Sequence, residues 1–161
     1  MDAQRAWNYC LWLLGRQAYT RATLQERLER KGAEPDVISA TLGRLESYGF
    51  VDDVAFASQF VESRAARYGS LRLRGELLRK GVAEETVDGE LRELDDSRQE
   101  EAAFQLLQRN AWRFRKTADA QRERSRAWAF LARRGFPPDA VSSAVARFAE
   151  AGGFPEETGA P

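Results

Sequence analysis

Apolar residues recur at fixed distances from three glycines, which divides the chain into three copies of one pattern. The glycines are Gly32, Gly81 and Gly135, and two basic residues precede each of them. Leucine stands four residues before every one of these glycines, and an apolar residue stands eight before. Further apolar residues follow six, ten and thirteen residues after each glycine. Agreement at all five offsets predicts three tandem repeats.

Each copy predicts three α-helices. Apolar residues eight and four positions before the glycine share a helical face, and a basic pair followed by glycine is typical of a helix C-terminus. The later offsets return to one face of a further helix. A longer helix opens each copy, expected at about 2–17, from Asp52-Asp53 onward, and at about 99–115. Sustained period-two alternation is absent, so no sheet is expected.

The predicted fold is therefore all-α, with three tandem three-helix repeats forming an elongated, curved helical array. The expected repeats are residues 1–51, 52–97 and 98–150, and the glycine- and proline-containing tail at 151–161 is expected not to pack. Residues 116–125 form a charged connector or a helix extension. Because a three-helix unit of about fifty residues buries little surface, neighbouring repeats are expected to share their cores.

Charge is banded along the chain although its totals balance, with 25 Lys and Arg against 25 Asp and Glu. The molecule as a whole therefore has no long-range attraction for nucleic acid. Residues 64–80 carry six basic side chains against Glu76, residues 83–101 are strongly acidic, and residues 109–126 are basic again. Any electrostatic role must come from these local bands.

Residues suited to catalysis are scarce. The chain has no histidine, which removes the commonest general base and metal ligand. The single cysteine, Cys10, has apolar and aromatic sequence neighbours and is expected to be packed. Asp52 and Asp53 would point about 100° apart on a helix, so we expect them to act as helix caps. We expect no enzymatic activity, no catalytic residue, no metal and no cofactor.

The apolar run at 7–14 is too short to span a bilayer, and no signal-type cleavage site follows it. We therefore expect a cytoplasmic protein that has no membrane partner. We also expect a monomer.

Candidate binding residues lie in the two basic bands. They are Arg64, Arg67, Arg72, Arg74, Arg79 and Lys80 in the second repeat, and Arg113, Arg115 and Lys116 in the third. Arg64 falls on the same predicted helical face as two phenylalanines, so it either extends past the core, caps a neighbouring helix, or faces a partner.

Two further patterns in these bands leave alternatives open. Arg72 and Arg79 share a helical face with Glu76, which fits a solvated, ion-paired face or a basic ridge that binds phosphate or an acidic protein surface. Trp112 and Phe114 alternate with basic residues, as in single-strand-binding proteins, although at least one of the rings is expected in the core.

The most regular stretch of the chain is residues 52–82. It reads D-D-x-x-F-A-x-x-F-V-x-x-R at 52–64 and G-x-x-R-L-x-x-E-L-x-x-K-G-V at 69–82. This pattern resembles the signature of the RecX family of recombinase regulators. Residues 20–32 and 130–136 are similar to the flanking family repeats, so the resemblance covers about residues 5–150.

The resemblance implies repeats that bind the RecA–DNA filament, lie along its groove, and inhibit strand exchange and ATP hydrolysis; it also implies direct DNA binding in some members. We therefore expect a regulator that binds the RecA recombinase filament, inhibits its ATPase and strand exchange, and so modulates recombination and DNA repair. The basic bands would face acidic filament surface or DNA phosphates. The alternative is a helical module that binds single- or double-stranded DNA without a recombinase partner.

Overall fold

The structure is a computed structural model that describes residues 1–157 of the chain. Within these residues it contains nine α-helices, one 3-10 helix and no strand. The α-helices are α1 (Ala3–Leu14), α2 (Arg21–Arg30), α3 (Pro35–Ser47), α4 (Asp53–Arg64), α5 (Ser70–Arg79), α6 (Glu84–Leu91), α7 (Asp96–Arg109), α8 (Ala120–Arg133) and α9 (Pro138–Glu150), with the 3-10 helix at Ala111–Phe114. The prediction of an all-α chain built from three sets of three helices is confirmed.

The middle helix of each set ends as its sequence predicts. Gly32, Gly81 and Gly135 have φ angles of 76°, 79° and 84°, the left-handed conformation that glycine adopts at little cost. In each case the amide after the glycine donates to the carbonyl of the leucine that stands four residues before it, at 3.1–3.3 Å. These bonds satisfy carbonyls that a helix C-terminus would otherwise leave without partners.

The two adjacent aspartates cap helices, as predicted. Asp52 accepts a hydrogen bond from the amide of Ala55 at 3.0 Å and so begins α4. Asp53 accepts from the amide of Arg21 at 2.9 Å and therefore also caps the start of α2. A carboxylate near a helix N-terminus is stabilised by the helix dipole.

Two of the predicted opening helices have wrong boundaries. The first ends at Leu14 rather than near 17, and the third covers Asp96–Arg109 instead of 99–115. In the third, the side-chain amide of Asn110 donates to the carbonyl of Leu106 at 2.8 Å, and the chain turns into the 3-10 helix. Asparagine ends helices in this way because its side chain competes with the backbone for hydrogen bonds.

The described residues form two compact units, and the second repeat contributes to both. Unit 1 contains Met1–Phe60 and Glu76–Glu90, and unit 2 contains Val61–Gly75 and the chain from Leu91 onward. These units do not test the predicted repeat boundaries, which stay predictions.

Most of the residues that define the repeat pattern are buried in the cores. Leu24, Leu28, Leu42 and Leu45 are completely buried in unit 1, together with Cys10. The core of unit 2 is rich in aromatic rings, and its buried residues include Phe104, Phe114, Phe130, Leu131, Phe136, Val141 and Phe148. The thiol of Cys10 is packed as predicted, and burial raises its pKa to about 11, so it remains protonated at neutral pH.

The expectation that residues 151–161 do not pack is wrong at Phe154. This residue is only 5% exposed, and its ring contacts that of Phe148 edge-on with centroids 4.9 Å apart. Gly153 permits this approach because a Cβ there would overlap the ring of Phe148. Residues 158–161, which the same expectation covered, lie outside the described residues.

One type of junction joins consecutive repeats, and it occurs once in each unit. In unit 1 the hydroxyl of Thr20 donates to the carbonyl of Lys80 at 2.6 Å, and a Cβ on Gly81 would overlap that of Ala22. The start of a middle helix therefore packs on the glycine that ends the next repeat's middle helix.

The second junction lies in unit 2 and uses backbone donors. The amides of Gly69 and Leu71 donate to the carbonyls of Arg134 and Gly135 at 2.9 and 3.0 Å. Unpaired donors at the start of α5 thus meet unpaired acceptors at the end of α8. A Cβ on Gly135 would overlap the Cβ and backbone of Arg72.

The junction predicts unequal effects of glycine substitution at equivalent positions. Gly32→Ala is expected to cost about 1–2 kcal/mol of stability, since Gly32 has a positive φ but has no neighbour within 4 Å of an added Cβ. Gly135→Ala is expected to cost about 1–3 kcal/mol more because the new methyl group overlaps Arg72. Urea unfolding followed by circular dichroism measures both. Equal losses would show that the close approach at Gly135 does not limit stability.

Candidate binding surface

The predicted binding residues of the second repeat are divided between the two units. Arg64, Arg67, Arg72 and Arg74 belong to unit 2, whereas Arg79 and Lys80 belong to unit 1. Arg67, Arg72, Arg79 and Lys80 are exposed, and Arg64 and Arg74 are half-buried. Arg64 donates to the hydroxyl of Ser63 at 2.9 Å. Lys80 places its ammonium 6.0 Å from the ring centroid of Phe60.

Tyr68 collects three arginines of unit 2 around its ring. The guanidinium carbon of Arg72 lies 4.0 Å from the ring centroid, that of Arg134 at 5.6 Å and that of Arg67 at 6.0 Å. Arg134 also donates to the carbonyl of Arg67 at 3.1 Å. The tyrosine and the hydrogen bond therefore hold residues of the second and third repeats together.

Arg134 makes further ring contacts within the third repeat. Arg134 and Arg113 lie over Phe130 at 4.8 and 5.1 Å. Arg113 then lies 5.9 Å from the ring of Trp112, and Lys116 lies 5.7 Å from the same ring. We call this set the basic row. It consists of Arg67, Tyr68, Arg72, Arg134, Phe130, Arg113, Trp112 and Lys116.

The basic row joins four of the predicted binding residues, two from each band: Arg67 and Arg72 with Arg113 and Lys116. Arg115 lies outside the row and donates to the carbonyl of Gly152 at 3.0 Å. Phe114 is buried and Trp112 is 68% exposed, so one ring of this pair belongs to the core and the other faces solvent, as predicted.

Sequence reasoning missed Arg134, which lies between the two parts of the row. Its position before Gly135 suggested only a basic helix C-terminus. The repeat pattern contained one signal that could have identified Arg134, since the residue before each repeat glycine directly follows the last residue of a middle helix. That Gly135 packs on Arg72, and so brings Arg134 beside Tyr68, is decided by the tertiary structure.

Stacking fixes the side chains of the row without removing their capacity to bind. A guanidinium presents its donors in its own plane, so it can lie on a ring and still bind a phosphate or a carboxylate. Exposed contacts of this kind contribute about 0.5–1 kcal/mol each. The row is thus a partly ordered surface suited to anionic groups.

A buried carboxylate lies beneath this part of the third repeat. Glu123 has a side chain 0% exposed and accepts from Nη1 of Arg126 at 3.1 Å. The amide and hydroxyl of Thr117 donate to it at 3.2 and 3.0 Å. Desolvation raises the pKa of Glu123, but the bonds from Thr117 and the charge of Arg126 outweigh that effect and hold the pKa below its usual value. Because α8 begins at Ala120, residues 120–125 of the charged stretch at 116–125 are a helix extension and the residues before them are a connector.

Residues 1–157 contain no group of three or more side chains placed to hold a metal ion. None of the helices described for these residues is both long enough and apolar enough to cross a membrane.

Three family models match the chain in order. They describe the first, second and third three-helix domains of RecX, and they match residues 6–45, 52–91 and 98–145. The chain belongs to the RecX family. RecX is a family of regulatory proteins rather than of enzymes, and the basic row extends from its second domain into its third.

Two curated proteins are similar in sequence to most of the chain. It is 44% identical over 129 residues to Regulatory protein RecX of Thermus thermophilus, covering 80% of this chain and 82% of that protein. It is 35% identical over 144 residues to Regulatory protein RecX of Mycobacterium avium, covering 88% and 83%.

Solved structures show the same fold. The crystal structure of RecX from Lactobacillus salivarius has a TM-score of 0.83 at 20% identity, covering 92% of this chain and 97% of that chain. A second crystal structure, of a regulatory protein RecX, has a TM-score of 0.75 at 21% identity, covering 87% and 70%.

Glu123 predicts a pH-dependent stability. Its folded pKa lies below the unfolded value of about 4.3, so its stabilisation is fully present above that pH and is lost as the pH falls through the folded pKa. Glu123→Gln is therefore expected to lower the Tm at neutral pH by a few degrees, and the difference from the unsubstituted protein is expected to shrink below about pH 4.3.

Thermal unfolding between pH 3 and pH 7 measures this, and Glu101→Gln is the control. Hydrogen bonds from Gln105 and Arg147 also lower the pKa of Glu101, but this side chain is 51% exposed. Solvent therefore screens its pair with Arg147, and only a small pH-dependent loss is expected. A Tm difference for Glu123→Gln that did not change with pH would contradict the role of its charge.

Proposed function

We propose that this RecX protein regulates recombination by binding the RecA–DNA filament and inhibiting its ATPase and strand-exchange activities. Family membership supports the regulatory role, and the basic row is the observation on which the choice of contact surface rests. The protein would act in the bacterial cytoplasm, as a monomer, without a cofactor.

The chemistry of the row suits such a filament. Its guanidinium groups can bind carboxylates of a recombinase or phosphates of its DNA, because a planar guanidinium can donate two parallel hydrogen bonds to either group. Stacking on Tyr68, Phe130 and Trp112 restricts the basic side chains before binding. Less side-chain entropy is then lost on association than with freely rotating residues. Arg79 and Lys80 are proposed as contacts of the other unit.

Inhibition follows if the bound protein contacts adjacent recombinase subunits and favours one filament conformation. A ligand shifts a conformational equilibrium only by the difference between its affinities for the two states. The protein must therefore bind more tightly to the filament conformation in which ATP hydrolysis and strand exchange do not occur. Its repeats provide several contacts on one chain, which increases overall affinity.

Charge reversal tests this surface. Arg72→Glu and Arg113→Glu are each expected to raise the concentration needed to inhibit RecA ATPase on single-stranded DNA by about tenfold or more, since a repulsive charge replaces an attractive one. Arg79→Glu tests the contribution of unit 1 in the same assay.

Arg5→Glu is the matched control. It makes the same change of charge at an exposed position in the first turn of α1, where an acid is compatible with the helix dipole. Inhibition by Arg72→Glu and Arg113→Glu equal to that of the Arg5→Glu protein, with helicity retained, would remove the row from the interface.

Trp112 favours a second candidate function, a module that binds single-stranded DNA directly. The ring is 68% exposed, and Arg113 and Lys116 lie beside it. Nucleobases stack on such rings while neighbouring cations bind the phosphates. The zero net charge of the chain opposes tight binding of this kind.

Binding of a fluorescent oligothymidylate without recombinase separates the two functions. If the protein is a DNA-binding module, affinity is expected to fall steeply with salt, and Trp112→Ala is expected to cost about 1–3 kcal/mol of binding. Trp12→Ala is the control, since Trp12 is also exposed and also contacts an arginine, Arg16, at 4.4 Å. Undetectable binding at low salt, with inhibition of RecA retained, would reject this second function.

A further inference from the structure

A small pocket opens beside the basic row in the third repeat. Its volume is about 210 Å3, and it lies between the 3-10 helix and α8. The lining residues are Arg113, Phe114, Arg126, Ala129, Phe130 and Arg133. Half of them are arginines, whereas pockets for small organic ligands are mostly apolar.

The positive charge of the pocket is only partly compensated. Arg126 uses its Nη1 to bind both oxygens of Glu123, at 3.1 and 3.2 Å. This carboxylate is buried behind the arginine, so it orients the guanidinium and neutralises one of three positive charges. No ion pair of Arg113 or Arg133 occurs among residues 1–157, which leaves a local charge of about two positive units.

The walls also fix the geometry of the arginines. Arg113 lies over the ring of Phe130 at 5.1 Å. Arg133 is the last residue of α8, one turn after Ala129 and two turns after Arg126, so these three residues line one face of that helix. A guanidinium carries five donors in a planar fork and can give two parallel bonds to one anion.

We propose that this pocket binds a phosphate group. Pockets for drug-sized molecules measure about 300–1,000 Å3, so a volume of 210 Å3 fits a single anionic group better than a nucleoside. Three guanidinium groups with a residual double positive charge match the multiple oxygens and higher charge of phosphate. A carboxylate offers only two oxygens and one negative charge.

This site goes beyond the regulatory function proposed above, because it requires no recombinase. The phosphate could belong to a nucleic-acid backbone, to a terminal phosphomonoester, or to free inorganic phosphate. All three present the same oxygens to the arginines, and the experiment distinguishes them.

Titration of the full chain with sodium phosphate at constant ionic strength tests the proposal. Two-dimensional NMR is expected to show saturable shifts of the Ala129 and Phe130 amides and of the arginine side-chain N–H groups. Arg113→Gln and Arg133→Gln are each expected to weaken binding about tenfold or more, since a hydrogen bond to a charged group contributes about 1.5–3 kcal/mol and about 1.4 kcal/mol corresponds to a factor of ten. Arg122→Gln is the control, since Arg122 lies on α8 but does not line the pocket.

Three results would overturn the proposal: shifts that do not saturate, acetate binding as tightly as phosphate, or Arg122→Gln weakening binding as much as the pocket variants. Oligothymidylates of one length with a 5′-phosphate or a 5′-hydroxyl then identify the source. Tighter binding of the phosphorylated form indicates a terminal group, and equal binding of the two forms indicates the backbone. Binding of sodium phosphate without binding of either oligonucleotide indicates free inorganic phosphate. If the unsubstituted chain binds phosphate but does not inhibit the recombinase, the regulatory proposal alone fails.

Discussion

The structure depends on how the ends of its middle helices satisfy one another. An isolated helix leaves amide donors without partners at its start and carbonyl acceptors without partners at its end. In unit 2, the amides of Gly69 and Leu71 bind the carbonyls of Arg134 and Gly135. In unit 1, the hydroxyl of Thr20 binds the carbonyl of Lys80. Each junction brings a partly positive helix start to a partly negative helix end, which is favourable electrostatically as well.

This close approach is also what constructs the candidate surface. Because Gly135 has no side chain, the backbone of Arg72 can lie directly against it. Arg134, the residue before that glycine, is thereby placed within stacking distance of Tyr68 and Phe130. Basic residues from two distant bands of the sequence then share one set of aromatic rings. A side chain on Gly135 would therefore disturb both the junction and the basic row.

A protein without net charge can still present a strongly basic surface when its acids are used elsewhere. Asp52 and Asp53 are bound at helix starts, and Glu123 is buried against Arg126 and Thr117. Glu101 is occupied by Arg147. These carboxylates stabilise helices and contacts, while the arginines stacked on rings in unit 2 extend toward solvent. Local placement, rather than composition, decides which sign of charge a partner meets.

The sequence alone determined the three repeats, the ends of the middle helices and the repeated core positions, because steps of three and four residues and glycine after a basic pair reflect local backbone physics. It also identified Arg72 and Arg113 as binding candidates. It placed the end of the third opening helix wrongly, since Asn110 ends α7 earlier than the apolar pattern suggested, and it missed the packing of Phe154. Only the tertiary structure decided that Arg134 joins the two bands, because that contact is made between repeats. It also decided that three arginines surround one pocket, because the 3-10 helix packs against α8 within the third repeat. No local pattern specifies either contact.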